Sequence, residues 1–158
     1  GLSDTLKYVL YESDKQFLPL SSEIEHLENM TMLECLRFSE PPKITVKILG
    51  DTNGIMIPSL LLTPLLENSF KWMDNRNRWI TIDVSISDEN VLIVIGNSRA
   101  KLQKTKEYNE KKGGLGLVRL QERLKMLYPN QDEPLLIIQD KRPKEFYVYL
   151  KIPYITAA

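Results

Sequence analysis

Three polar side chains interrupt an otherwise apolar segment and are the first candidates for chemistry. Glu67, Asn68 and Lys71 follow a run of leucines, and on a helix they fall within one arc of roughly 100°. Carboxylate and amide oxygens are hard ligands that suit Mg²⁺, and a nearby lysine suits a phosphate group. The same spacing also suits a solvated helix face that carries a Glu67–Lys71 ion pair, so both interpretations stay open.

A cluster of glycines just ahead of a helical pattern is the second candidate. Gly113, Gly114 and Gly116 precede a stripe of leucines. Glycines let backbone N–H groups approach an anion, and the amino end of a helix favours negative charge. The cluster follows a charged loop rather than a strand, so it is not a Rossmann fingerprint, and no Walker pattern is present. A simple turn is the alternative interpretation.

The segment between these two candidates, residues 99–112, is polar, aperiodic and basic. A loop of this length without structure is either functional or disordered. Beside a phosphate site it predicts a basic lid that is poorly ordered without nucleotide, and by itself it is a solvated charge run. Its basic residues are Arg99, Lys101, Lys104, Lys106, Lys111 and Lys112, set against Glu107 and Glu110.

Composition excludes several other classes of function. The chain has 158 residues, of which 42% are hydrophobic, as expected for one soluble globular domain. Its 21 basic and 21 acidic residues cancel, so no general attraction to nucleic acid or anionic membrane is expected. One cysteine, Cys35, and one histidine, His26, provide neither a Cys/His zinc cluster nor a Ser/His/Asp set. We expect His26 to be an exposed residue of a Glu-rich helix.

The elements that position these residues follow from apolar periodicity. Ser22 and Glu25 predict a capping box. Pro58 suits a first helical turn, while Pro64 either kinks that helix or restarts it behind a Thr63 cap. The order of elements predicts an α/β (α+β) two-layer sandwich, in which a mixed, largely antiparallel five-stranded sheet carries helices on one face. The predicted helices span residues 2–13, 22–38, 58–73 and a stretch from the glycine cluster to Pro129, and the predicted strands span 43–49, 79–87, 91–98, 135–139 and 146–152.

These pieces resemble a known family in their order along the chain. Leu65-Leu-Glu-Asn-Ser-Phe-Lys71 resembles the N box of the GHKL (Bergerat) ATPases, most closely the form found in LytS/YehU-like sensor histidine kinases. Val94-Ile-Gly-Asn-Ser98 falls where that family has its G1 box. Gly113-Gly-Leu-Gly-Leu117 and the following helix look like its G2 box. Leu2-Ser-Asp4 and residues 20–38 resemble the stretch that joins the phosphoacceptor helices to the ATP domain.

The resemblance implies an ATP-binding catalytic domain that holds Mg²⁺ through Asn68. Glu67 would order water or metal, and Lys71 would lie near the phosphates. Residues 99–112 would form the ATP lid, and the γ-phosphate would pass to a histidine on a helix ahead of residue 2. The implied nucleotide-binding set is Asn68, Lys71, Gly96, Asn97, Ser98, Gly113, Gly114, Leu115, Gly116 and Leu117.

Two positions depart from the family pattern. The alignment puts Gly96 where the family usually has the Asp that accepts the adenine amino hydrogen bond, and Ser98 where it has a second glycine. Asn97 or Ser98 would then have to replace the acid. This departure keeps open the alternative of a degenerate GHKL module that senses nucleotide or binds a protein partner without phosphotransfer. An unrelated structural domain would require the motif matches to be coincidental.

The resemblance also implies an organisation and a set of partners. Residues 1–40 would be a helical connector from the dimerisation and phosphoacceptor region, and residues 41–158 the ATP-binding domain. The partners would be a phosphoacceptor histidine helix of the same or the partner subunit and a cognate response regulator, with no nucleic acid. His26 does not match the phosphoacceptor motif. The full-length protein is expected to be a homodimer, with this part in the cytoplasm and an inner-membrane anchor in a preceding region.

Overall fold

The computed structural model of the protein describes residues 16–100, 115–139 and 142–157. The helix predicted over residues 2–13, the lid residues 101–112, and Gly113 and Gly114 lie outside these ranges. The elements in chain order are β1 (Phe17–Pro19), α1 (Leu20–Cys35), β2 (Lys43–Leu49), β3 (Ile55–Pro58), α2 (Leu62–Trp72), β4 (Trp79–Ile86), β5 (Asn90–Ser98), α3 (Leu115–Leu127), β6 (Leu136–Gln139), β7 (Glu145–Pro153) and β8 (Ile155–Thr156).

Five of these strands form the main sheet, in the spatial order β2-β4-β5-β7-β6. β2 and β4 are parallel and are joined through β3 and α2, whereas the other neighbouring pairs are antiparallel. Strand β4 alternates half-buried and buried residues, as expected for a sheet that has a core on one face. The prediction of a mixed, largely antiparallel five-stranded sheet is confirmed.

Helix α2 lies at the centre of the helical layer, because it packs against α1, α3 and strand β5. Leucines of α1, α2 and α3 share one apolar core with the buried face of the sheet. This arrangement confirms the predicted two-layer sandwich. In the described part of the chain, no helix is both long enough and apolar enough to span a membrane.

A second, three-stranded sheet was not predicted. Its strands are ordered β1-β3-β8 and pair antiparallel. They contain only three, four and two residues, which is too short for alternation to be recognised. Pro58 ends β3, so the prediction that Pro58 begins a helix is wrong. Helix α2 begins instead at Leu62 and has no side-chain cap, so the Thr63 cap is also wrong. Pro64 lies in its first turn, where its missing N–H costs no helical hydrogen bond.

The amino end of α1 also differs from the prediction. The helix begins at Leu20 with Pro19 as the N-cap residue and no side-chain hydrogen bond at the cap. Ser22 therefore lies inside the helix, and the predicted capping box with Glu25 is not formed. The helix ends at Cys35 rather than Phe38.

The expectation that His26 is exposed is wrong. The side chain is 4% exposed and belongs to a buried stripe of α1 that also contains Glu23, Leu27 and Thr31. The reason is that α1 packs against β1, β3 and α2, which cover this stripe. Burial disfavours the charged imidazolium and lowers the pKa of His26.

Acidification is expected to destabilise the fold through His26. Because its pKa is lower in the folded than in the unfolded chain, the unfolded chain binds more protons once the pH falls below the ordinary histidine value of 6.5. The free energy of unfolding should therefore fall from about pH 7.5 to about pH 5.5 in urea titrations. His26→Gln should flatten this part of the profile, since the chain has no other histidine. An unchanged slope in the variant would contradict the assignment.

Candidate functional site

Asn68 lies inside the apolar stripe of α2. It is 6% exposed and is flanked along the helix by the buried Leu65, Leu66 and Phe70. Within the described part of the chain, neither atom of its amide has a hydrogen-bond partner. A buried polar group without a partner costs about 1–3 kcal/mol. Among the described residues, the amide of Asn68 therefore contributes no hydrogen bond to the fold, and its oxygen suits a hard cation.

Glu67 and Lys71 lie on the exposed side of the same helix. Partial desolvation, and secondly the negative charge of Glu34, raise the pKa of Glu67 above its usual value. The Lys71 ammonium lies 5.2 Å from the centroid of the Trp72 ring, a cation–π arrangement. Helix α2 therefore presents a carboxylate and an ammonium at its surface, with the amide of Asn68 buried beside them.

The three residues at the end of β5 differ in the faces on which they lie. Asn97 is fully buried and continues the alternation of Ile93 and Ile95, which face the core. Its Nδ2 donates to the Ser98 carbonyl at 2.8 Å, and its Oδ1 has no partner among the described residues. Since a carbonyl only accepts, Nδ2 has to be the atom that faces it, which leaves Oδ1 as the available acceptor.

Gly96 faces the opposite side of the sheet. It is paired with Thr81 on one side and Tyr147 on the other. A Cβ at this position would overlap the Tyr147 ring, 2.5 Å from its Cδ1 atom, and would lie 3.0 Å from the Thr81 hydroxyl. Side chains at positions 96 and 97 therefore point to opposite faces, and only that of Asn97 lies on the core side. Alternation from Ile93 was the signal in the sequence that would have revealed this.

The carboxyl end of α2 is tied to the end of β5. The Asp74 N–H donates to the Ser98 carbonyl at 3.2 Å, which also accepts the Asn97 amide. The Ser98 hydroxyl accepts the Trp79 N–H at 3.4 Å. These bonds join the helix that carries Asn68 to the strand that carries Asn97.

The described part of the glycine cluster begins helix α3. Leu115 is the first residue of the helix. Gly116 is exposed, and a Cβ there would meet no atom of the described residues within 4 Å. Leu117 is fully buried and anchors this first turn in the core. The amino end of α3 thus combines unobstructed backbone with a fixed position, which suits an anion.

Arg99 corrects the predicted start of the lid. The side chain is buried, and its guanidinium donates to the Arg142 carbonyl. The backbone N–H of Arg99 donates to the Lys144 carbonyl at 3.0 Å, and the guanidinium carbon lies 5.9 Å from the Phe146 ring centroid. Arg99 therefore lies just after the end of β5, where it is buried and bonded to the loop before β7 rather than forming the start of a lid. No pattern in the sequence indicated this role.

Sequence reasoning also missed Glu23 of α1. This carboxylate is 1% exposed, and its Oε1 accepts the N–H of Leu60 at 2.8 Å. Leu60 lies two residues before the first residue of α2, so Glu23 binds the segment that leads into the helix that carries Asn68. The two residues are 37 positions apart, and no motif connects them.

The chain is similar in sequence to one curated sensor protein. No family model matches it. It is 28% identical over 136 residues to the sensor protein LytS of Oceanobacillus iheyensis, and this match covers 78% of the chain. The chain corresponds to 23% of the length of LytS.

Solved structures with the same fold include histidine kinases. The nucleotide-free catalytic domain of ThkA has a TM-score of 0.64 at 12% identity, covering 88% of this chain and 98% of that domain. Full-length ShkA in complex with AMPPNP has a TM-score of 0.62 at 16% identity, covering 90% of this chain and 32% of ShkA. AdeS of Acinetobacter baumannii has a TM-score of 0.58 at 14% identity, covering 96% and 74% of the two chains. The chain is therefore similar in sequence to a LytS sensor protein, and it has the fold of a histidine kinase catalytic domain.

Proposed function

We propose that this chain is the ATP-binding catalytic domain of a two-component sensor histidine kinase and supplies Mg-ATP for phosphorylation of a histidine outside residues 1–158. The observation that carries the proposal is Asn68, an N-box amide that is almost fully buried and has no hydrogen-bond partner in the described ranges. A fold keeps such an amide at a cost to its stability, which is expected where the group binds a ligand.

Asn68 would hold Mg²⁺, and its two polar neighbours on α2 would act around it. Mg²⁺ usually takes one or two protein oxygens together with substrate phosphates and waters, so the single oxygen of Asn68 fits a metal that arrives with the nucleotide. Glu67, which is exposed next to Asn68 on α2, would order a water or a hydroxyl. Lys71 would contribute positive charge near the phosphates.

Asn97 would take the place of the family's adenine-binding acid. Its Oδ1 is an acceptor on the core side of β5, and the bond from Nδ2 to the Ser98 carbonyl holds the amide in the orientation that presents this acceptor. An exocyclic amino group is the donor that such an acceptor would recognise. Gly96 and Ser98 stay predicted as backbone neighbours of the base.

The amino end of α3 would bind the phosphates. Backbone N–H groups of the glycine-rich segment, from Gly113 and Gly114 through Leu115 and Gly116 to Leu117, would donate to phosphate oxygens with the support of the helix dipole. The bound Mg²⁺ would neutralise phosphate charge, and transfer would rest on positioning and charge neutralisation rather than on a covalent intermediate. The lysine-rich segment 101–112 would cover this end of the site.

The acceptor histidine would belong to another segment or subunit. His26 is the single histidine of the chain, and its imidazole is buried on α1 rather than presented at the surface. We propose that residues 1–40 connect the ATP-binding domain, residues 41–158, to that phosphoacceptor region, with α1 packed onto the domain core. A cognate response regulator and a full-length homodimer complete the proposed partners.

Binding of Mg-ATP is the expected result that tests this function. Titration calorimetry with ATP should give binding that is strongly weakened when Mg²⁺ is removed by a chelator, because Asn68 then has no metal to share with the phosphates. Undetectable binding at about millimolar ATP, weaker than about 4 kcal/mol, would contradict the proposal and favour a protein-interaction module. A phosphoacceptor helix added in trans then tests transfer to histidine directly.

A further inference from the structure

Two residues just before α2 are held by three separate elements. The Ser59 N–H donates to the Gln16 carbonyl beside β1 at 3.1 Å. The Ser59 hydroxyl accepts Nη2 of Arg123 from α3 at 3.3 Å. The Leu60 N–H donates to Oε1 of Glu23 on α1 at 2.8 Å. The point where the chain enters the candidate Mg²⁺-binding helix is therefore fixed from outside that helix.

Leu60 has an unusual backbone conformation. Its φ is +59°, and in the described ranges it is the one residue other than glycine with a positive φ. This left-handed conformation costs a residue with a Cβ about 1–2 kcal/mol. Such a conformation persists only where the surroundings hold it, and the bond from Glu23 is made to the N–H of this same residue.

Glu23 has a second role at the amino end of α2. The N-cap residue of α2 is Leu61, which makes no side-chain cap. The N–H that Glu23 accepts belongs to Leu60, one residue before that N-cap residue, and negative charge near the amino end of a helix is favoured by the helix dipole. A buried carboxylate is costly unless hydrogen bonds compensate it. Glu23 therefore places a hydrogen-bonded carboxylate beside the amino end of α2, where α2 has no side-chain cap of its own.

We propose that Glu23 is a positioning residue for the nucleotide site, because it holds Leu60 in the left-handed conformation and so fixes where α2 starts. Asn68 follows Leu62 by six residues, about 9 Å along the helix axis, and the helix is continuous between them. A shift at the start of α2 would therefore reach Asn68. This inference rests on the proposed function, and it does not place Glu23 in contact with the nucleotide.

The test is a double-mutant cycle between positions 23 and 60. Glu23→Leu removes the acceptor at similar size and should weaken Mg-ATP binding about tenfold. Glu23→Gln keeps an acceptor and should retain most of the affinity. Leu60→Gly should recover affinity in the Glu23→Leu background, since glycine adopts a positive φ without cost. Glu25→Leu makes the same change at an exposed position of α1 and should leave affinity unchanged.

Unfolding measurements on the same variants separate this inference from the proposed function. Leu60→Gly should raise the urea midpoint more in Glu23→Leu than in the unmodified chain, whether or not nucleotide binds. If the unmodified chain fails to bind Mg-ATP, the proposed function fails, and the unfolding cycle alone decides whether Glu23 holds Leu60. Absence of coupling in unfolding overturns the inference, as does wild-type affinity in a folded Glu23→Leu. If Glu23→Leu does not fold, Glu23→Ala, which also lacks the acceptor, is used for the same cycle.

Discussion

Asn68→Ala is expected to weaken binding of Mg-ATP by at least about tenfold, close to 1.4 kcal/mol. The substitution removes the single amide that the N-box helix buries, together with the oxygen proposed to share Mg²⁺ with the phosphates. Loss of one such ligand leaves the metal to be held by the nucleotide and by water. Titration calorimetry with and without Mg²⁺ measures the change, and the difference between the two conditions should shrink in the variant.

The apo protein distinguishes a binding role of Asn68 from a structural one. Because neither amide atom is paired within the described ranges, Asn68→Leu, of similar size, should raise the free energy of unfolding without ligand by about 1–3 kcal/mol. It should also abolish the stabilisation that Mg-ATP gives to the unmodified chain. Asn75→Ala, the same change as Asn68→Ala at an exposed position, is the matched control. Wild-type affinity in folded Asn68→Ala would refute the proposed metal contact.

Neighbouring positions 96 and 97 are expected to give opposite phenotypes. Asn97→Ala removes the acceptor on the core side of β5 and should lower ATP affinity about tenfold. Gly96→Ala places a methyl group against the Tyr147 ring on the other face. It should therefore lower the free energy of unfolding by about 1–3 kcal/mol and leave the affinity of the folded protein close to that of the unmodified chain. Urea unfolding and nucleotide titration measure both quantities on the same samples.

Tyr147→Ala provides the check on Gly96. When the ring is absent, the added methyl group has space, and Gly96→Ala should cost less in this background than alone. If Gly96→Ala instead reduces ATP affinity while stability is preserved, position 96 faces the nucleotide and the assignment of Asn97 fails.

The main sheet could be predicted because its strands are long enough to alternate. Strand β4 has eight residues and β5 has nine, and their pattern also fixes which face meets the core. The small sheet could not be predicted, because its short strands are held by pairing between distant segments. Pro58 shows the same limit: it suits the first turn of a helix locally, but pairing with Phe17 places it in a strand.

Some residues of the candidate site could likewise be predicted from the sequence, and others could not. Asn68 could be recognised from the sequence because an amide within an apolar segment is unusual and because the surrounding residues resemble an N box. The roles of Glu23 and Arg99 could not, because their partners are backbone groups that only the folded chain brings near. His26 was misplaced because its glutamate neighbours suggested a solvated face, whereas the helix buries a stripe that passes between Glu25 and Glu28.

The parallel pairing of β2 and β4 restricts how the protein can move. A parallel neighbour requires a connection that returns across the sheet. Here that connection contains β3 and α2, so α2 is tethered at its start to β3 of the three-stranded sheet and at its end to β4 of the main sheet. Its exit is fastened further by the bond between Asp74 and Ser98. A rigid-body displacement of this helix would therefore disturb the strand pairing of β3 and β4. We therefore expect any motion that opens or closes the proposed nucleotide site to occur in segments outside the connection from β2 to β4. The connection itself, which contains α2, should stay in place.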